Sequence, residues 1–255
     1  WTIIHSRFWK FQVPYLSRHF RVITFDGPGN GKSDRSTDPR HYTADAYADD
    51  AVRVLDAVGV ERVVAVGVSL GGAYTLRLAT MHPDRVRGAV LVAPSLPLAP
   101  PLLARAQIPA GIRLPYPEDP QGWDKYNLAY WHDHYEDFLT FFFGEAFSET
   151  HSTKAREDAV GWGLETTADV LEAEEKIPTP EFPPPSEEYF DGLTCPVLVI
   201  QGTDDHVLNP QVGVEAARLS DGTLISMAGT GHLPIVREPV MFNLVLKDFV
   251  EKVSA

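Results

Sequence analysis

The chain runs to 255 residues, 44% of them hydrophobic; that supports one buried core with room for an insert and excludes a disordered or fibrous chain. A formal net charge of -13 repels phosphate backbones and argues against a nucleic-acid partner. Cys195 is the lone cysteine, so no intrachain disulfide can form, which fits a reducing setting such as the cytoplasm, and no apolar run approaches the ~20 residues of a membrane span.

The chain opens on Trp1 rather than Met, as a fragment or trimmed chain would, with no signal peptide in view. Thr2 to His5 (TIIH) predicts a strand, Trp9 to Leu16 a short helix, and Arg21 to Asp26 (RVITFD) a second strand entering the loop GPGNGKSD. Apolar residues at Ala44, Tyr47, Ala48, Ala51, Val52, Leu55 and Val58 lay out a helical stripe over 43–58. Arg62 to Gly67 reads as a fully apolar strand, Leu70 to His82 as a helix stopped by Pro83, and Arg87 to Ala93 as another buried strand. Late in the chain the rhythm returns, with strands at Pro196 to Gly202 and Thr223 to Met227 and helices at Gln211 to Leu219 and Met241 to Val253. Unbroken apolar strands alternating with helices imply an α/β fold, a mostly parallel central sheet with helices on both faces.

Between Leu96 and Thr194 the alternation stops. A proline-rich stretch leads into an aromatic region holding Trp123, Tyr126, Tyr130, Trp131, Tyr135, Phe138, Phe141, Phe142, Phe143 and Phe147. A helical patch over about Lys154 to Ala173 follows, then a second proline cluster. A hundred structureless residues would be abnormal in one domain. The expected organisation is therefore core 1–95, helical cap 96–194 and core 195–255. An aromatic lid favours an apolar acyl or aryl substrate, although the pattern does not say which rings face inward.

Gly67-Val68-Ser69-Leu70-Gly71 is a G-x-S-x-G placed between a strand and a helix, the context of a nucleophile elbow. Such a turn strains the serine and crowds the flanking positions, where Gly67 and Gly71 bring no Cβ. It also sets Ser69 at a helix N-terminus, where the Leu70 N–H is a candidate oxyanion donor. A serine hydroxyl needs a base, and the base an orienting acid. The acid candidates are Asp204 and Asp205, in the run that follows Gly202. The base candidate is His232, in Gly229-Thr230-Gly231-His232. Both lie after strands, where α/β sheets build their sites.

Together the segments IIHSRFW, RVITFDGPGNGKSD, GVSLGG, PVLVIQGTDDHVLNP and GTGHLP resemble the α/β-hydrolase superfamily, in particular its capped carboxylesterase-like and meta-cleavage-product-hydrolase-like members. The resemblance spans nearly the whole chain. It implies a Ser69, Asp205, His232 triad in the order Ser, acid, His, and no cofactor. It implies a serine hydrolase acting by acyl transfer on a small to medium apolar ester or thioester. The alternatives are carbon–carbon hydrolysis of a vinylogous diketone, or a ligand receptor on the same fold. Where the family has His-Gly before an oxyanion donor, this chain has His5-Ser6-Arg7, which makes Arg7 the second donor candidate. Members of the family usually carry two further strands upstream of IIH.

Some motifs point elsewhere. GPGNGKSD ends like a phosphate loop, but the spacing G-x-x-x-x-G-K-[ST] would need glycine where Asp26 stands. His132 and His134 are two apart, so on a helix they face differently, and no metal site is expected. His206 reads as a loop residue beside the acid, and Cys195 as simply buried. The expected partner is a small-molecule substrate, with no inference about oligomeric state.

Overall fold

Four of the apolar runs become the strands of one parallel sheet. The computed structural model describes residues 1–150, 153–177 and 188–255. In chain order its elements are α1 (Val13–Leu16), α2 (Ala44–Ala57), β1 (Val63–Val68), α3 (Leu70–Met81) and β2 (Val86–Val92). There follow α4 (Ile108–Gly111), α5 (Leu128–Asp133), α6 (Tyr135–Ala146), α7 (Lys154–Gly163) and α8 (Ala168–Glu175). The chain then returns through β3 (Val197–Gly202), α9 (Gln211–Leu219), β4 (Thr223–Met227), α10 (Pro234–Arg237) and α11 (Pro239–Ser254). Sheet order among the described residues is β1-β2-β3-β4, with Ala89 opposite Val197 and Leu198 opposite Thr223.

Side chains alternate across a strand, and here the alternation separates two cores. Ala89, Leu91, Val197 and Val199 pack with Ala73 and Leu76 of α3 and Val212 and Ala216 of α9. Val90, Val92, Leu198 and Ile200 pack on the other face with Ile235, Phe242 and Leu246. Each large aliphatic side chain buried this way contributes about 1.5–3 kcal/mol. Because the strands are parallel, the segments after β1, β3 and β4 all leave the same edge of the sheet, which gathers residues 69, 203–205 and 228–232.

Two expected strands are absent. Residues 2–5 form a turn that leads into a 3₁₀ turn at Ser6–Trp9, and residues 21–26 carry no ladder. A strand needs a neighbour, and residues 21–25 do not pair with β1: both border one cavity. The helix expected over 9–16 shrinks to α1. The patch expected over 154–173 divides into α7 and α8, because the Thr167 side chain accepts the Val170 N–H and caps a new helix.

The insert between β2 and β3 is held by its rings. Trp131, Phe138 and Phe143 are fully buried. Trp131 lies 5.0 Å from Phe138 and 5.1 Å, edge-on, from Tyr126, separations at which aromatic pairs gain beyond their area. Glu174 of α8 ties the insert to the sheet domain, accepting from the Thr2 hydroxyl at 3.0 Å and the Tyr74 hydroxyl at 2.9 Å. Most of the second proline cluster, residues 178–187, lies outside the described residues. Among the described residues no helix is long and apolar enough to cross a membrane.

Candidate active site

Ser69 joins β1 to α3 with φ 57° and ψ -120°, a left-handed backbone that costs a non-glycine residue about 1–3 kcal/mol and persists only where its surroundings hold it. Its N–H donates to the Val92 carbonyl at 2.9 Å, and its own carbonyl accepts from Ser95 at 2.9 Å. The close neighbour is Gly67, where a Cβ would stand 1.8 Å from the Gly71 carbonyl oxygen. A Cβ on Gly71 itself would meet open space. The crowding expected at both glycines therefore exists only at the first; the second contributes its carbonyl. Leu70 opens α3, so its N–H has no acceptor within the helix.

Asp205 follows β3 and is 4% exposed. One carboxylate oxygen accepts the Val207 and Leu208 N–H groups, each at 2.8 Å. The other accepts from His232 Nδ1 at 2.8 Å and Gln201 Nε2 at 3.2 Å. Burial alone would raise this carboxyl. The facing His232 and the hydrogen bonds outweigh it and hold Asp205 below the usual carboxylate range. Asp204, the other candidate, is exposed and meets His206 at 3.3 Å. The geometry therefore separates the two: Asp205 reaches His232 and Asp204 does not.

His232 follows β4 and is 2% exposed. An ionised carboxylate on Nδ1 fixes the tautomer with the proton there and leaves Nε2 as an acceptor. Nε2 is buried and has no hydrogen-bond partner among the described residues. Ser69 and His232 line one cavity of about 610 Å³, together with Trp1, Tyr74, Phe142, Phe143 and Ala146. Of the ten aromatic residues singled out in the insert, Phe142 and Phe143 reach it.

Arg7 is placed differently from the rest. Its N–H donates to His5 Nδ1 at 3.2 Å, its guanidinium pairs with Glu165 of the insert, and the cavity is lined by Ser6 and His5 rather than by Arg7. Burial and the adjacent Arg7 keep His5 below the ordinary imidazole range. In the glycine-rich loop, the Asp26 carboxylate accepts the Ser6 and Lys32 N–H groups at 2.9 Å each, and a Cβ on Gly31 would stand 2.2 Å from it. The place a phosphate would need is filled by the protein's own anion. His132 meets Glu172 at 2.7 Å, whereas the His134 ring lies 4.8 Å from Tyr130. Cys195 is half-buried, and burial raises its thiol. Trp1 had no signal in the sequence, because it reaches the cavity only through the packing of distant segments; Tyr74 and Gln201 lie on α3 and β3, next to Ser69 and Asp205, but no motif marks them.

The α/β-hydrolase fold family model matches residues 4–239. A protein of Caulobacter sp. (strain K31) named "Putative carbamate hydrolase RutD" is 30% identical over 97% of this chain and 87% of its own. The 2-hydroxymuconate semialdehyde hydrolase of Pseudomonas sp. (strain CF600) is 44% identical over 33% of this chain and 29% of its own. The esterase RhEst1 from Rhodococcus sp. ECU1013 superposes with a TM-score of 0.78 at 24% identity, covering 98% of this chain and 88% of that one, which shows the shared fold. Strand order, elbow and family match agree: the chain belongs to the α/β-hydrolase superfamily.

Proposed function

We propose that this protein is a serine hydrolase acting by acyl transfer on small to medium apolar esters or thioesters, with the insert as its cap. The observation that carries this reading is His232. Asp205 holds it through Nδ1, while its unpartnered Nε2 belongs to a residue sharing a cavity with the strained Ser69.

In that reading Nε2 takes the proton of Ser69 Oγ as the oxygen attacks the substrate carbonyl. The tetrahedral oxyanion is met by the Leu70 N–H at the start of α3. The imidazolium, stabilised by ionised Asp205, returns its proton to the leaving group, and the acyl-enzyme forms. His232 then removes a proton from water, which attacks the acyl carbon, and Ser69 recovers its proton as the acid leaves. Phe142 and Phe143 favour an apolar acyl or aryl group. Arg7 is left out of this scheme, since its N–H already has an acceptor in His5.

A second reading, hydrolysis of a carbon–carbon bond in a vinylogous diketone, is favoured by the similarity to the Pseudomonas hydrolase. A panel of p-nitrophenyl esters run beside a ring-fission diketone separates the two. Faster turnover of the esters by kcat/KM supports the first; turnover of the diketone alone supports the second. A receptor on the same fold would turn over neither.

A further inference from the structure

One side chain of the insert grips the His232 segment at both ends. Beyond α6 the chain continues Phe147-Ser148-Glu149. Glu149 Oε1 accepts the Gly231 N–H at 2.9 Å, and Oε2 accepts Arg237 Nε at 2.9 Å. The Glu149 carbonyl accepts Arg237 Nη2 at 3.1 Å. Gly231 immediately precedes His232, and Arg237 closes α10 just after it. Both charged side chains are buried, at 8% and 5% exposure.

The surroundings leave little slack. Ser148 Oγ donates to the Asp204 carbonyl at 2.9 Å. A Cβ on Gly231 would stand 2.7 Å from Ser148 Oγ. The three residues that leave α6 therefore touch both the acid loop and the histidine loop. A buried ion pair contributes little net stability, because desolvation offsets the Coulomb attraction, but removing one member displaces what it held. Phe142, Phe143 and Ala146 of α6 line the cavity, so the helix that borders it leads directly into the residues that hold the histidine loop.

We propose that Glu149 is a positioning residue for His232, fixing the loop through the Gly231 N–H and bracing it against Arg237. This rests on the reading of His232 as general base. The bland alternative is a tie that only fastens the insert to the sheet domain.

The two differ in turnover per active site. Wild type, E149A and E149Q are titrated with a fluorophosphonate to count reactive serines, then assayed with p-nitrophenyl butyrate, and each is melted. E149A is expected to lose about 10- to 100-fold in kcat, with KM held within about twofold, as for a misplaced base. E149Q keeps an oxygen for the Gly231 N–H and loses the charge pair, so it recovers most of that kcat while melting lower than wild type. Should E149A fail to fold, E149D, whose shorter arm cannot span both partners, takes its place. Wild-type kcat per titrated site in E149A, or equal losses of kcat in E149A and E149Q, overturns the proposal. A wild-type protein inert to both probe and ester fails earlier and overturns the acyl-transfer reading instead.

Discussion

At the scale of single residues, two glycines one turn apart have opposite roles. Gly67→Ala drives a methyl into the Gly71 carbonyl at 1.8 Å and is expected to cost about 3 kcal/mol or more by denaturant unfolding. Gly71→Ala meets open space inside a helix and is expected to be neutral or stabilising by up to ~1 kcal/mol. Similar losses in both would refute the steric account of the elbow. In the proposed scheme Asp205 acts through His232: Asp205→Asn keeps the shape, removes the charge and permits the wrong tautomer. A fall of ~10³–10⁴-fold in kcat is expected, with KM little changed. Arg7 has the reverse profile: Arg7→Ala removes an exposed pair with Glu165 and should leave kcat and KM for an ester at wild-type values. A large drop in kcat would give the guanidinium a part in turnover, since the backbone N–H is the same in both proteins.

At the scale of elements, α6 lines the cavity and leads into the residues that hold the histidine loop. Phe142 is 7% exposed and lines the cavity. Phe142→Ala is expected to raise KM for aryl esters several-fold and to cost about 3–5 kcal/mol of stability; unchanged KM would place the acyl group elsewhere. The elements that were legible in the sequence are those whose signal is local. G-x-S-x-G between an apolar strand and a helix located Ser69. Gly202 and the Gly229–Gly231 turn located Asp205 and His232, since each follows a strand of the same parallel sheet. Composition alone does not choose between Asp204 and Asp205; the family resemblance implies Asp205, and the folded path brings that residue to the imidazole while Asp204 meets His206. Residues 2–5 and 21–26 have strand composition without strand pairing, since apolar alternation reports preference and the ladder requires a partner. Glu149 left no trace in the sequence: the contact joins positions 82 residues apart, and nothing about a glutamate after a phenylalanine run foretells it.

At the scale of the whole molecule, the parallel sheet sets one carboxyl edge beneath an aromatic insert, and that edge collects every proposed reacting group. The same assembly gives the protein an acid limit. Asp205 titrates below its ordinary value of 3.8 when folded. Its contribution to stability is therefore fully present above that value and is lost as pH falls through the lower folded one. Unfolding free energy measured from neutral pH downward should decline more steeply in wild type than in Asp205→Asn over that acid range; parallel curves would contradict the buried pairing with His232. The most direct test of the central claim is covalent. Wild type, Ser69→Ala and His232→Ala are treated with a fluorophosphonate, and intact mass and peptide mapping are read. The expected result is one adduct per chain on Ser69, absent in Ser69→Ala and formed far more slowly in His232→Ala. An unlabelled wild type, or an adduct that persists in Ser69→Ala, would contradict Ser69 as the nucleophile.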